Sequence, residues 1–313
     1  MKKIKLLIDT DIGDEIDDAM ALYFAMSEGF EIVGITTVFK NTDERARITK
    51  RLLKLYGKGY ENVPVFAGCG TPIAESPRKY PHTCHFHDEL ESEEYSPDGN
   101  CDDAVDFIIE CCEKYGKDLA IVAIGPFTNI ARAIEKNAAA VNKAAKVVIM
   151  GGAYYRQYAD WNVMCDVEAA DVMFKGIKNL ECVGADVTHQ TVLNRNEHEI
   201  MASCKKDAAA VEIGELIKLW SVVNPDRYPT LHDPLAVYYA IHPEILETER
   251  QRISVITDGY ARGLTLNVDA YNKSYMNPAC DSLDSDHTAL VAKKIDAKRF
   301  IDTFIDCFKI NRI

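Results

Sequence analysis

The sequence predicts an α/β fold, a mostly parallel sheet with helices on both faces. Three observations carry this. Short apolar runs suited to buried strands alternate with longer stretches whose apolar residues recur at helical spacing. Glycines close the first helical stretches, at Gly29 and Gly57. Apolar residues make up 47% of the 313, enough to fill a large core. Strands that alternate with helices pair in parallel, because a parallel neighbour needs a crossover connection.

The elements follow in order. "IKLLIDT" from Ile4 is a strand, and "DDAMALYFAMSEG" from Asp17 is a helix. "EIVGITTVF" is a strand, "DERARITKRLLKLYG" a helix and "VPVFAG" a short strand. Residues 70–100 lose periodicity and gather Pro, His and acids. A loop of that length inside a domain is usually functional or disordered. "CDDAVDFIIECCEKYG" is a helix, "LAIVAIG" a strand, and "FTNIARAIEKN" a turn into a helix. "KVVIMGG" is a strand, "VEAADVMFKG" a helix and "ECVGADV" a strand. Asn196 to about Val223 reads as helical. "HDPLAVYYAIHPEI" opens another helix with Pro234 in its first turn. "RISVITDG", "GLTLNV" and "TALVAKKI" read as later strands, and "AKRFIDTFIDCFKI" as a closing helix. No linker or internal repeat interrupts this series, so one domain over 1–313 is expected.

The formal net charge is −13. An acidic chain lacks the basic footprint that nucleic acid or an anionic membrane requires, and it suits a site that attracts a cation. No stretch is long and apolar enough to span a membrane. The two lysines and short apolar run at the start end at Asp9 without a cleavage pattern, so a strand is expected there rather than an export signal. The ten cysteines show no C-x-x-C spacing. Reduced thiols, mostly small core residues in a cytoplasmic protein, are the expectation.

The chemistry concentrates in "LLIDTDIGDEIDDAMAL". Six acids occupy the ten positions from Asp9 to Asp18. In an open α/β sheet, ligands bind beyond the carboxyl ends of the strands, where Asp9 and Asp11 fall. Asp17 and Asp18 open the next helix, whose dipole favours negative charge. Helix-start acids in a solvated turn account for Asp14, Glu15 and Asp17. They account poorly for the pair at the strand end. A hard divalent cation, Ca²⁺ or Mg²⁺, would neutralise several carboxylates at once. Three further stretches lie where the crevice is expected: "AIGPFTNIARAI", "LHDPLAV" with His232 and Asp233, and "MGGAYYRQYADWN" with Asp160 and Asn162. Singly they read as a tight turn, a helix cap and a polar loop.

With these residues in place, the chain resembles the inosine–uridine-preferring nucleoside hydrolase family. "DTDIGDEIDDAMAL", "VGITTV", "VPVFAG", "AIGPFTNIARA", "VVIMGGAY", "DWN…EAA", "GADVT" and "HDPLAV" occur in the family's order along nearly the whole chain. The resemblance implies a single-domain, Rossmann-like fold with a mixed, mainly parallel sheet. It implies a bound Ca²⁺, hydrolysis of the N-glycosidic bond of a ribonucleoside, and a homodimer or homotetramer. By motif position, Asp11, Asp18 and Asp233 would be Ca²⁺ ligands, with the backbone carbonyl of Thr128. Asp11 would also be the base for the metal-bound water. Asp17 and Asn162 would hold the ribose 2′- and 3′-hydroxyls, assisted by Asn41. Asp160 would face the 5′-hydroxyl side and Met150 would line the sugar pocket. His232 would be the acid for the departing base. His85, or His87, and Tyr228 are further candidates to face the base.

The chain departs from the family pattern D-x-D-P-G-x-D-D. Ile12 replaces the proline and two residues are inserted before Asp17. Lys40 replaces a small residue in "VFKN", and the sugar loop "AYYRQYADWN" is short. Two other readings share parts of the pattern. An aspartyl phosphohydrolase using Mg²⁺ also has D-x-D after its first strand, although Gly13 stands where Thr or Val is usual. A non-catalytic nucleoside- or sugar-binding protein could keep the Ca²⁺ site.

Overall fold

The structure is a computed structural model and describes residues 4–74, 93–268 and 288–309. Nine strands form one sheet in the order β3-β2-β1-β4-β5-β6-β9-β7-β8. They are β1 (Lys5–Thr10), β2 (Glu31–Thr37), β3 (Val65–Ala67), β4 (Leu119–Ala123), β5 (Lys146–Met150), β6 (Leu180–Val183), β7 (Leu246–Val255), β8 (Thr265–Asn267) and β9 (Thr288–Ile295). Pairings from β3 across to β9 are parallel. β7 pairs antiparallel with both β9 and β8, so the sheet is mixed. The strand order reverses between β1 and β4, which opens a crevice at the carboxyl ends of those two strands.

Two apolar layers cover the faces. Leu6 and Ile8 point into one layer and Leu7 into the other, which is why β1 reads as a continuous apolar run rather than an alternating one. The first layer is built by α1 (Asp17–Ser27), α2 (Thr42–Tyr56), α9 (Ala208–Val223), α10 (His232–Ile241) and α11 (Ala297–Asp306). The second is built by α3 (Cys101–Tyr115), α4 (Thr128–Val141) and α6 (Val167–Gly176). Short helices α5 (Trp161–Cys165), α7 (Ala185–Thr188) and α8 (Arg195–Ala202) complete the fold. α1 is buried from Asp17 to Met26, a core helix without a polar face. At β2 a Cβ on Gly34 would stand 2.2 Å from the Phe107 ring, so glycine is what lets α3 seat there.

Four expectations are corrected. The strand expected over "ECVGADV" ends at Val183. Gly184 packs against the Tyr154 ring, the chain turns, and Ala185 donates its N–H to Gly152 O, starting α7. The helical stretch after Asn196 is two helices, because Asp207 caps a new start by accepting from Ala210 N at 2.8 Å. β7 starts at Leu246, earlier than its apolar part, because cross-strand pairs Lys293–Glu249 (2.6 Å) and Lys294–Glu247 (2.9 Å) carry the polar half. Not every thiol is free. Cys69, leaving β3, and Cys101, opening α3, stand with Cα atoms 4.7 Å apart and form a disulfide. Six other cysteines are buried and outside that disulfide, while Cys84 and Cys280 lie outside the described residues. No helix among the described residues is long and apolar enough to cross a membrane.

Candidate active site

A cavity of about 360 Å³ opens at the switch point between β1 and β4. β1 delivers Asp11 at its carboxyl end, and α1 begins six residues later with Asp17 and Asp18. The Thr10 hydroxyl donates to Asp18 Oδ1 at 2.5 Å and accepts from Ile12 N at 3.1 Å, which fixes the exit of the strand. α10 brings Asp233 from the far end of the chain. Its N–H donates to the Asp17 carboxylate at 3.3 Å, as expected where a helix N-terminus meets an anion. Carboxylate oxygens of Asp17, Asp18 and Asp233 lie within 4.8 Å of one another, all buried.

Charge this dense is held off ionisation. Burial, ahead of every other cause, pushes Asp11 and Asp17 up to about 7. Burial raises Asp18 and Asp233 well above the carboxylate range, with repulsion from neighbouring acids added. Asp9 points away from the cavity. Its Oδ1 accepts from Thr36 Oγ1 (2.5 Å) and Asn129 Nδ2 (2.7 Å), and burial raises it to about 7.

The opposite wall comes from the loop after β5. Asp160 caps α5, accepting from Asn162 N at 3.0 Å and Val163 N at 3.4 Å, and burial raises it to about 6. Asn162 Nδ2 donates to Ile124 O (2.8 Å) and Met150 O (3.1 Å), which leaves its carbonyl oxygen as the free acceptor. His232 Nδ1 meets Thr188 Oγ1 at 2.7 Å, and burial lowers the imidazole to about 3. The expectation of a protonated acid therefore meets a ring that desolvation keeps neutral. With Thr188 donating to Nδ1, Nε2 carries the proton as a neutral donor. Half-exposed Tyr158, Trp161 and Tyr228 stand at the rim with His189.

Asp11, Asp17, Asp18, Met150, Asp160, Asn162, His232 and Asp233 thus all line one cavity. Asp17, expected on the sugar, stands in the close carboxylate triad, and Asp11, expected as a ligand, lines the same cavity close enough to raise both Asp18 and Asp233. Asn41 does not line the cavity. It is exposed and caps α2, with its amide donating to Glu44 Oε2 at 2.9 Å. Thr128, expected to give its main-chain carbonyl, is buried. It opens α4 with its hydroxyl on Asp166 at 2.6 Å. Ile124, four residues earlier at the tip of β4, lines the cavity, and its main-chain oxygen accepts from Asn162. A Cβ on Gly125 would stand 2.8 Å from Asp11 N, so glycine lets this turn press against the acid loop. His85 and His87 lie outside the described residues. Sequence reasoning missed Ile124, Trp220 and Arg227. A main-chain carbonyl has no side-chain signature, and Trp220 reads as one more apolar position of α9.

Buried acids furnish the switch-point crevice, the place where open α/β enzymes bind their small-molecule ligands. The chain belongs to the inosine–uridine-preferring nucleoside hydrolase family, whose model matches residues 6–302. It is an N-glycosyl hydrolase of nucleosides. Uridine nucleosidase 1 of Arabidopsis thaliana is 31% identical over 278 residues, 85% of this chain and 82% of that protein. The inosine-uridine preferring nucleoside hydrolase of Leishmania major is 30% identical over 323 residues, 97% of each. The solved structure of a purine-preferring ribonucleoside hydrolase from Gardnerella vaginalis superposes with a TM-score of 0.74 at 26% identity, covering 97% of this chain and 98% of that one. Membership answers the phosphohydrolase reading of D-x-D.

Proposed function

We propose that this protein hydrolyses a ribonucleoside to free base and ribose in dependence on bound Ca²⁺, with Asp11 as the base. One observation carries the metal. Three buried carboxylates within 4.8 Å cannot all ionise near neutral pH without a counter-charge, and the guanidinium whose charge reaches Asp18, that of Arg45, is already paired with Asp14. The donors are all oxygen, which fits a hard cation of the Ca²⁺ or Mg²⁺ type. Asp17, Asp18 and Asp233 would hold it, with Asp11 adjacent. When bound, such an ion supplies a positioned water of lowered pKa.

The chain's own residues do the rest. Asp11, half-protonated near neutrality when no ion is bound, is ionised once the cluster's charge is neutralised and accepts the proton of the attacking water. Asn162 offers its carbonyl oxygen to a sugar hydroxyl, and Asp17 offers a carboxylate oxygen beside it. Asp160 faces the remaining side of the sugar. Cleavage of an N-glycosidic bond passes through an oxocarbenium-like transition state, whose positive charge these buried carboxylates favour. Tyr158, Trp161 and Tyr228 give the base flat surfaces, and the Nε2–H of His232 donates a hydrogen bond to it as it leaves. Asn41 has no part in this scheme, because its amide is committed to Glu44.

The test is ribose release from a nucleoside panel, starting with uridine and inosine on the strength of the relatives, with metal-analysed protein before and after chelation. Release that stops on chelation and returns with Ca²⁺ is expected. Undiminished release from protein shown to be metal-free would overturn the proposal.

A further inference from the structure

A buried cation stands next to the acids. Arg45 lies in the first turn of α2, and its side chain is 1% exposed. A guanidinium so desolvated persists only where its donors are satisfied. Nε donates to Phe39 O at 2.8 Å. Nη1 donates to the main-chain oxygens of both Asp11 and Ile12, the latter at 2.9 Å. Nη2 donates to the Asp14 carboxylate at 2.9 Å. All three nitrogens are spent, and they join the loop after β1 to the turn after β2. That turn is unusual. Phe39 (φ 70°) and Lys40 (φ 61°) are both left-handed and neither is glycine. It is pinned by Phe39 N to Cys69 O (2.9 Å) and Lys40 N to Gly70 O (2.6 Å). Strain of this kind is kept where surrounding contacts over-determine it. Here it presents the Phe39 oxygen to Arg45.

We propose that Arg45 is a positioning residue for Asp11. By fixing the carbonyls of Asp11 and Ile12, it sets the direction in which the Asp11 carboxylate leaves the backbone. Asp14, one of the extra acids of this loop, serves as its anchor rather than as a ligand. This inference rests on Asp11 being the base. It differs from a plug that merely fills space beneath the loop, because a plug would affect stability and leave the chemical step alone.

The experiment compares Arg45→Lys, Asp14→Asn, Asp11→Asn and the Asp11→Asn/Arg45→Lys pair in the Ca²⁺-loaded protein, measuring kcat, KM, Ca²⁺ affinity by calorimetry and melting temperature. A lysine replaces a three-nitrogen fork with one ammonium. The expected result for Arg45→Lys is a kcat lowered about 10- to 100-fold, with KM and Ca²⁺ affinity changed less than about threefold, the loss of position rather than of binding. Asp14→Asn should show the same pattern at about 3- to 10-fold, and it keeps the test alive if Arg45→Lys does not fold. In the Asp11→Asn background the lysine should cause no further loss of rate, since its target is gone. A folded Arg45→Lys or Asp14→Asn with wild-type kcat would overturn the inference, as would a loss seen only in Ca²⁺ affinity or a full further loss in the double variant. If Asp11→Asn itself turns over normally, the fault lies with the assignment of the base.

Discussion

Asp11 and His232 face the same cavity under opposite constraints. Desolvation keeps the carboxyl partly protonated and strips the imidazole of its charge. Asp11→Asn keeps the shape and the backbone contacts to Arg45. Turnover should fall by about 10²–10⁴, the usual worth of a general base, with little change in melting temperature. His232→Ala removes a neutral donor. It should slow natural nucleosides far more than a riboside with an activated leaving group, measured as paired kcat/KM values. Equal losses would remove His232 from leaving-group chemistry. At this scale the acids were legible in the sequence, because strand-end and helix-start carboxylates announce the crevice. Asn41 was not, although its signal was present. Asn followed three residues later by Glu44 is a cap pattern, and the capping role uses the amide that a sugar would need. Ile124 was not legible either, because only the fold shows that the tip of β4 lines the cavity.

Among the elements, the ends of β1, β2 and β3 are tied by one side chain. Asn129 accepts from Cys69 N at 2.7 Å and donates to Asp9 Oδ1 (2.7 Å) and Thr37 O (3.0 Å). A Cβ on Gly68 would stand 2.3 Å from its amide, so the approach is close. Asn129→Ala leaves several buried groups unpaired, and a loss of about 2–4 kcal/mol is expected from urea unfolding midpoints. A loss under about 1 kcal/mol would mean that water repairs the network. The buried strands and the caps of these elements were legible, because their period and their Asn, Asp and Gly punctuation are local. The polar first half of β7 was not, since cross-strand partners forty-odd residues away make it a strand. The end of β6 was not legible either, because the Tyr154 ring behind Gly184 decides it.

For the molecule as a whole, the cluster ties stability to pH. Asp9, Asp11 and Asp17 rise from 3.8 to about 7 on folding, so the folded metal-free protein binds protons more tightly than the unfolded chain. That contribution is fully present below 3.8 and is lost as pH rises through about 7. Metal-free protein should therefore melt at a lower temperature at about pH 8 than at about pH 5, and Ca²⁺ should flatten the difference. Equal melting temperatures at both pH values without metal would show that the carboxylates stay ionised and solvated.

The hydrogen bond from Asp233 to Asp17 spans 216 residues. Chains are made from the amino end, at about 5–20 residues per second. For roughly 10–40 s of each molecule's synthesis, Asp17 and Asp18 exist without the carboxylate that completes their group. A chain that stops short of Leu231 carries the acidic motif and no centre. On the proposed metal reading, a nascent chain shorter than about three quarters of the full length lacks the centre and cannot act on nucleosides.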